Sequence, residues 1–251
     1  MKDKFVEYPY TCRSTNSSSS CEVLIKVNSY ISETQVKAEY ISYSSNNYES
    51  TLTNEFDSDI KVAIDAWYQT NIVSKSDSTD NLLTNYIVDG TFCNDRTFAS
   101  SNIGDGYSLV PNTFYSAQKR LFQDASKTAT LKCNQESDKF STTTSRGNGD
   151  LTYPVALITA DEVALAGGHQ GMKNENYYLK TGGYYFIMTP SSFYDAFAYA
   201  RMYFVLSSGE LDHWSDVTNF YGARPVINIR SDVLISQGDG TSENPFMLQL
   251  A

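Results

Sequence analysis

The side chains that most often carry out catalysis are sparse in this chain and stand in no catalytic motif. The chain has two histidines, His169 and His213, and nucleophilic catalysis needs a serine or cysteine within reach of such a base. No serine has the G-x-S-x-G surroundings of a nucleophile elbow. Carboxylates are plentiful, 29 in all, but nothing marks two of them as the acid and base of a glycosidase. We therefore predict a protein that is not an enzyme and that uses no cofactor.

Two segments bring oxygen ligands close together, DHWSD at 212–216 and SQGDGTSEN at 236–244. Calcium accepts such ligands. The first segment lacks the spacing of a calcium-binding loop, and the second is explained more simply as a hairpin turn whose side chains bond to their own backbone. The sequence therefore predicts no metal site.

The four cysteines fall into two pairs, Cys12 with Cys21 and Cys93 with Cys133, each closing a polar loop. Three pairings are possible for four cysteines, and closeness in sequence favours these two disulfides. Disulfides persist in oxidising compartments, so these bridges would indicate an extracellular protein. The alternative is four buried thiols in a cytosolic protein, since free cysteine is often buried.

The charge and the apolar runs of the chain exclude two classes of partner. The formal net charge is −10 over 251 residues, which repels a phosphate backbone, and we predict no binding to nucleic acid. No apolar run approaches the roughly 20 residues of a membrane-spanning helix, so no membrane insertion is predicted. The start, MKDKFVEYPY, lacks the apolar core of a signal peptide. We expect an exported protein whose export signal or anchor was trimmed, with Met1 supplied for expression.

The periodicity of the chain predicts an α+β fold. Residues 5–53 alternate apolar and polar positions and predict a β-meander. In DSDIKVAIDAWYQTNI the period changes, and a helix is predicted with Ile60, Ile64, Trp67 and Asn71 on one face and Asp57 or Ser58 as its cap. We expect a β-rich N-terminal segment at 1–53 and the main domain at 54–251.

A second helix and a β-rich C-terminal half are predicted downstream. In ITADEVALAGG, Thr159 and Glu162 have the spacing of a capping box, and Gly167 or Gly168 suits the left-handed end of a helix. Residues 74–150 are polar and predict long loops with short strands. Two helices in a loop-rich antiparallel framework indicate an α+β class.

Aromatic residues are concentrated between Tyr184 and Tyr221, where twelve of 38 residues are Tyr, Phe or Trp. Recognition surfaces favour Tyr and Trp because these side chains supply rigid contact area at little entropic cost. Charged residues such as Asp195, Arg201 and Asp212 are interleaved, and a sealed core would not tolerate them unpaired. The segment is predicted to be a binding face. That any one ring instead fills a β-rich core stays an open alternative.

Several motifs resemble a family of exported proteins of Gram-positive bacteria. The segments that carry the resemblance are YTCRSTNSSSSCEVLIKV, IDAWYQTNI, FCNDRT, LTYPVALITADEVALAGG, YYFIMTPSSF and GARPVINIRSDVLISQGDGTSENPFML. In that family a motif like YW-x-MSP precedes one like RPVIN, a strand and a GDGT-type turn. The chain departs from this pattern at Phe186 and Ile187, where Trp and Thr are usual, and at Ala223, where Val is usual.

The resemblance implies a C-type-lectin-like fold, in the variant shared with formylglycine-generating enzymes, with two main helices. Some members are variable proteins of diversity-generating retroelements, in which adenine-directed mutagenesis rewrites codons of the binding face. The catalytic cysteines of formylglycine-generating enzymes lie late in the domain, and no cysteine follows Cys133 here. The resemblance therefore implies a binding scaffold without oxidase chemistry.

The leading hypothesis is a non-enzymatic, extracellular cell-surface protein that presents this face to a protein or glycan on another cell or on a host surface. Its aromatic residues would form the apolar contact and its charges would set specificity. The sequence RPVI at 224–227 would be scaffold beneath the face. The predicted contact residues are Tyr185, Phe186, Tyr194, Asp195, Phe197, Tyr199, Arg201, Tyr203, Asp212, His213, Trp214, Asp216, Thr218, Phe220 and Tyr221.

The alternative from another class is a pilin-like or surface-layer subunit that buries the same face on self-assembly. Oligomeric state separates the two, and a receptor is expected to be a monomer. A hydrolase built on scattered carboxylates is a third reading, which turnover of glycoside or peptide substrates would support.

Overall fold

The structure is a computed structural model that describes most of the chain from Asn54 onward and two short pieces before it. The described residues are 13–14, 21–22, 54, 57–74, 83–99, 112–124, 126, 128–176, 179–180, 182–194, 199–239, 244 and 246–250. The predicted meander over 5–53 lies outside them, apart from two paired two-residue strands. The predicted Cys12–Cys21 bridge also lies outside, because it includes Cys12.

The described elements are short helices and mostly antiparallel strands. The strands are β1 (Arg13–Ser14), β2 (Cys21–Glu22), β3 (Ile87–Val88), β4 (Phe92–Cys93), β5 (Asn112–Phe114), β6 (Lys139–Phe140), β7 (Val155–Ala156), β8 (Tyr185–Tyr194), β9 (Tyr199–Val205), β10 (Leu211–Asp216), β11 (Gly222–Ala223), β12 (Val226–Ile229), β13 (Val233–Gln237) and β14 (Met247–Leu250). The helices are α1 (Asp59–Tyr68), α2 (Ser116–Gln118) and α3 (Ala160–Leu165), and short π-helical turns continue α1 (Gln69–Val73) and α2 (Lys119–Gln123). Two 3₁₀ turns cover Leu83–Tyr86 and Glu136–Asp138. The predicted α+β class is confirmed at this level.

The largest sheet has the strand order β10-β9-β8-β11, and β5 pairs with the C-terminal half of β8. Strands β8, β9 and β10 form a meander, and β11 runs parallel to the start of β8. The tight turn between β9 and β10 has Gly209 at φ 78°, a left-handed conformation that favours glycine. A second sheet places β12 between β3 and β7, while β13–β14 and β4–β6 are separate antiparallel pairs.

Two apolar clusters enclose the largest sheet, one on each face. Successive side chains of a strand point to opposite faces, so Tyr185 and Ile187 enter one cluster while Phe186 enters the other. The first cluster also contains α3 residues and Val226 of β12, and the second contains the buried residues of α1 together with Ile227 and Ile229 of β12. Both faces of β8 are therefore core, which explains why so many aromatic residues occur there.

Helix α1 forms where it was predicted, but its buried side is shifted by one residue. Ser58 caps the helix, since its side chain accepts a hydrogen bond from the Lys61 backbone N–H at 3.1 Å. The buried positions of α1 and its π-helical continuation are Ile60, Ile64, Tyr68 and Ile72. The predicted face placed Trp67 and Asn71 in this row, which is wrong. Trp67 is half-buried at the edge of the second cluster, because the row continues at four-residue spacing.

Helix α3 has the predicted boundaries at both ends. The Thr159 side chain accepts a hydrogen bond from the Glu162 backbone N–H, and the Glu162 carboxylate accepts one from the Thr159 N–H at 2.9 Å. This reciprocal pair is the predicted capping box. Gly167 ends the helix at φ 95°, as the left-handed C-terminal position requires.

The predicted disulfide between Cys93 and Cys133 is confirmed. It joins the end of β4 to the segment that leads into β6, and these two strands pair directly. The bridge closes a loop with a sequence separation of 40 residues. A crosslink of this span reduces the conformational freedom of the unfolded chain substantially.

Removing this bridge will therefore destabilise the protein. For the Cys93→Ala/Cys133→Ala variant we expect a loss of about 4 kcal/mol in the free energy of unfolding, from the loop-closure entropy of a loop of this length. Urea denaturation followed by circular dichroism measures it. A change below about 1 kcal/mol would contradict the assignment of the bridge as a main constraint on this region.

Candidate ligand-binding face

The surface of the predicted binding segment is best defined at β10, where burial alternates along the strand. Leu211, His213 and Ser215 are buried, whereas Trp214 between them is exposed over 49% of its surface. Strand β10 is an edge strand of the described sheet, so one side of its backbone pairs with no further described strand. A register shift between Asp212 and Ser215 marks a bulge, which re-aims the side chains that it contains.

The exposed Trp214 ring contacts an arginine that is paired with an aspartate. The guanidinium of Arg201 lies 4.7 Å from the centre of the Trp214 ring, within the range of a cation–π contact. The Arg201 Nε donates a hydrogen bond to Asp216 Oδ1 at 2.9 Å. Arg201 and Asp216 are also backbone partners across β9 and β10. We call Arg201, Trp214 and Asp216 the surface triad.

Four of the predicted contact residues are buried and do not reach the surface, which corrects the prediction for them. Tyr185, Phe186 and Tyr203 are fully buried, and His213 is 1% exposed. For Tyr185, Phe186 and Tyr203 the physical reason is that both faces of β8 and β9 are covered, so alternation along these strands moves a ring from one core to the other rather than to solvent. His213 lies on the covered face of β10.

His213 is one of the predicted contact residues whose side chain packs inside the core. Its ring lies 4.4 Å from the ring of Phe122 and 5.9 Å from that of Tyr203, centre to centre. Its Nδ1 is hydrogen-bonded to the Gln170 side-chain amide. Burial, followed by the negative charge of Asp161, raises the pKa of the Tyr203 phenol, which stays protonated. These groups are structural in this arrangement.

The end of the segment forms a second aromatic group against the sheet. Tyr221 is half-buried and packs edge-on against Tyr184 at 5.4 Å, and against Phe186 at 4.9 Å and Phe204 at 5.1 Å. Phe220 is exposed over 52% of its surface. The contacts of Tyr221 hold the chain where it continues beyond β10, and the Phe220 ring stays exposed to solvent.

The remaining predicted contacts fall into two sets. Asp212 and Thr218 are half-buried. The side chains of Tyr194 and Tyr199, at the ends of β8 and β9, are outside the described part of the structure, as are Asp195 and Phe197 entirely. The structure therefore brings together the surface triad and Asp212, with Thr218 and Phe220 following on the same chain segment.

A second feature, a cleft between α1 and the sheet, carried no signal in the sequence. It has a volume of about 180 Å³ and is lined by α1, by strands β7 to β9 and by the segments around Asn94 and Asp150. Arg201 lines its rim as well as contacting Trp214. These residues are distant in sequence and show no common motif, so only tertiary folding assembles the cleft.

Two buried ion-pair systems hold the segment that forms one wall of this cleft. Arg96 donates to both carboxylate oxygens of Asp138, from its Nε at 2.7 Å and its backbone N–H at 2.8 Å. Burial raises the pKa of Asp138 above its ordinary value, although Arg96 acts in the opposite direction. Next to them, Arg120 bridges Asp95 at 2.8 Å and Asp161 at 2.5 Å. Burial alone would lower the pKa of Arg120, yet these two carboxylates raise it above its ordinary value.

Potential metal ligands do not cluster in the described residues. No group of three or more His, Cys, Asp or Glu side chains there could hold a metal ion. Within the same ranges, no helix is long and apolar enough to cross a membrane.

The contact between Arg201 and Trp214 should be measurable as a coupling energy. In a double-mutant cycle with Arg201→Ala and Trp214→Ala we expect about 0.5–1 kcal/mol of coupling in the free energy of unfolding. The control cycle pairs Arg201→Ala with Leu234→Ala, since Leu234 is similarly exposed but lies on β13. Equal coupling in both cycles would show that the cation–π contact contributes nothing.

Comparisons of the chain with models of protein families, with curated proteins and with solved structures find no match. A functional assignment for this chain must therefore be argued from the chemistry of its own surface.

Proposed function

We propose that this chain is a non-enzymatic ligand-binding protein of the cell surface, with a C-type-lectin-like fold and a contact surface centred on Trp214. The observation that carries the proposal is the surface triad. An exposed tryptophan contacts an arginine that is itself paired with an aspartate, on a strand whose alternate residues are buried. Tryptophan and arginine are the residues most enriched at the energetic centres of interfaces.

The rigidity of the triad supports a recognition role. A large side chain that is already ordered loses little conformational entropy on binding, so more of its contact energy appears as affinity. Arg201 and Asp216 are each half-buried, and their mutual pairing leaves the group with no net charge. A partner, protein or glycan, would stack on Trp214 and exchange hydrogen bonds with the two charged groups.

The proposal includes diversification of this surface, as the resemblance to variable proteins implies. If codons of the face are rewritten, the changes must avoid positions whose side chains build the two cores. In β10 the outward residues are Asp212, Trp214 and Asp216, whereas the inward ones pack inside. A diversified receptor would therefore vary at alternate positions of this strand.

Sequencing codons 183–229 across many cells of one source population tests diversification. We expect substitutions at Asp212, Trp214, Asp216 and other exposed positions, with Leu211 unchanged because it is 1% exposed in the core. A near-copy of the segment in the flanking DNA is also expected. Identical sequences in all cells would contradict diversification. The protein would then be a fixed adhesin or a structural subunit.

Binding itself is tested by screening the protein on a glycan array and against a panel of purified cell-surface proteins. For any partner found, we expect Trp214→Ala to weaken binding at least tenfold in biolayer interferometry, since truncating such a centre costs about 2 kcal/mol or more. Leu234→Ala is the matched control and should bind normally. Unchanged binding by Trp214→Ala would contradict this face as the contact surface.

Sedimentation at high protein concentration separates the proposal from the structural alternative. A receptor is expected to remain a monomer. Self-association that Trp214→Ala abolishes and Leu234→Ala preserves would instead support a structural surface subunit.

A further inference from the structure

The cleft between α1 and the sheet has the size of a small-molecule site and a mostly apolar interior. Its lining includes Ile60 and Ile64 of α1, Met188 of β8 and Met202 of β9. Its volume of about 180 Å³ exceeds that of an engineered apolar cavity of about 150 Å³ that binds benzene. A single aromatic ring with one short substituent would fit.

Two carboxylates, those of Asp57 and Asp150, line the same cleft and are exposed to solvent. Neither of them is in an ion pair with another described residue. Asp150 Oδ2 accepts a hydrogen bond from the side-chain amide of Asn54 at 2.7 Å, and the charge of Asp150 persists because an amide is neutral. Since Asn54 shortly precedes Asp57 in the chain, this hydrogen bond brings both carboxylates to the end of the cleft where α1 begins.

The described cations in the lining of the cleft are each paired with a carboxylate outside that lining. The pairs are Lys61 with Asp65, Arg96 with Asp138 and Arg201 with Asp216. Each pair carries no net charge. The carboxylates of Asp57 and Asp150 therefore give the cleft a net negative charge.

Lys61 follows Asp57 by four positions, but its side chain contacts a different carboxylate. The Lys61 ammonium donates a hydrogen bond to Asp65 Oδ2. Burial raises the pKa of Asp65, Lys61 acts in the opposite direction, and the negative charge of Asp57 adds to the rise. One lysine therefore lies near two carboxylates, and the one that it contacts is Asp65.

We propose that this cleft binds a small organic ammonium whose apolar body, such as an aromatic ring, fills the interior while its charged group lies beside Asp57 and Asp150. The apolar body leaves water, which supplies most of the affinity. Because the two carboxylates are exposed, the ammonium keeps part of its hydration and avoids the cost of a fully buried charge. The proposal does not depend on the surface triad as a contact surface.

Benzylammonium and benzyl alcohol are matched probes for this site, because they have the same shape and only benzylammonium is charged. Titration of the full chain with ¹³C-labelled methionine methyls reports binding through Met188 and Met202, while Met172, 62% exposed and outside the lining, is the internal control. We expect both probes to shift the cleft methyls, with benzylammonium binding about two- to fivefold tighter, as for an exposed ion pair. Added salt should reduce this preference, since salt screens exposed charges.

Three results of this titration would overturn the proposal. If neither probe shifts the cleft methyls up to its solubility limit, the cleft is not a ligand site. If benzyl alcohol binds as tightly as benzylammonium at low salt, the carboxylates do not select a cation. A preference for benzylammonium that does not change with salt would show that charge is not its cause.

Two aspartate variants test whether the carboxylates of the cleft select the cation. In Asp57→Asn/Asp150→Asn we expect the ratio of benzylammonium to benzyl alcohol affinity to fall to about one, with benzyl alcohol binding as before. Asp59→Asn is the matched control, since Asp59 is exposed in the first turn of α1 and does not line the cleft. It should keep the preference. An equal fall in the control would show that the net charge of the protein, rather than the cleft, attracts the cation.

A second pair of variants tests the position of the apolar body. Ala200→Leu places bulk at the lining of the cleft and should weaken both probes, whereas Ala66→Leu, on the exposed side of α1, should bind as the wild type does. Unchanged binding by Ala200→Leu would show that the probes bind outside the cleft. If a variant fails to fold by circular dichroism, the salt dependence of the wild-type preference still decides.

Discussion

The interaction on which the rest of the structure depends is the burial of strands β8 and β9 on both faces. These two strands send alternate side chains into two separate apolar clusters, one built with α3 and one with α1 and with Ile227 and Ile229 of β12. Two polar side chains of β8, those of Thr189 and Ser191, form hydrogen bonds inside the protein. Thr189 accepts a hydrogen bond from the Ala160 N–H at 2.8 Å, and Ser191 donates one to the His213 carbonyl oxygen at 2.6 Å. Two-sided burial accounts for the high content of aromatic residues without assigning each ring to a ligand.

Several charged groups around this sheet form ion pairs. Arg96 with Asp138, and Arg120 with Asp95 and Asp161, are buried next to the disulfide and hold the 93–96 segment in place. Breaking such a pair leaves an uncompensated buried charge, so these contacts specify the local geometry strongly. At the surface, Arg201 and Asp216 also form an ion pair.

The surface triad and the cleft differ in chemistry. The surface triad offers an exposed ring and two charges to a large partner, whereas the cleft is a mostly apolar volume between α1 and the sheet. Because Arg201 contacts Trp214 and also lines the cleft, a ligand in the cleft would meet the same side chain that orders the triad. The two surfaces therefore lie next to each other in the fold.

Local signals in the sequence were sufficient for several elements. The capping box of α3, the glycine at its end, the existence of α1 and the Cys93–Cys133 pairing all depend on residues close together or on few candidates. The period-2 alternation also placed the C-terminal half in strands. The α+β class followed from these elements, since short-range propensity and turn chemistry decide which type of element forms.

Burial was decided only by the tertiary structure. Asp212, His213 and Trp214 are consecutive in β10, yet one is half-buried, one is in the core and one is exposed, because helices and strands distant in sequence cover one side. The interleaved charges predicted an exposed face. In the structure Arg201 of β9 forms a hydrogen bond with Asp216 of β10, and the sequence does not specify the pairing of these two strands. The cleft likewise arises where eight separate segments of the chain meet. Sequence determined the elements and their pattern, and long-range packing determined which side chains of that pattern reach solvent.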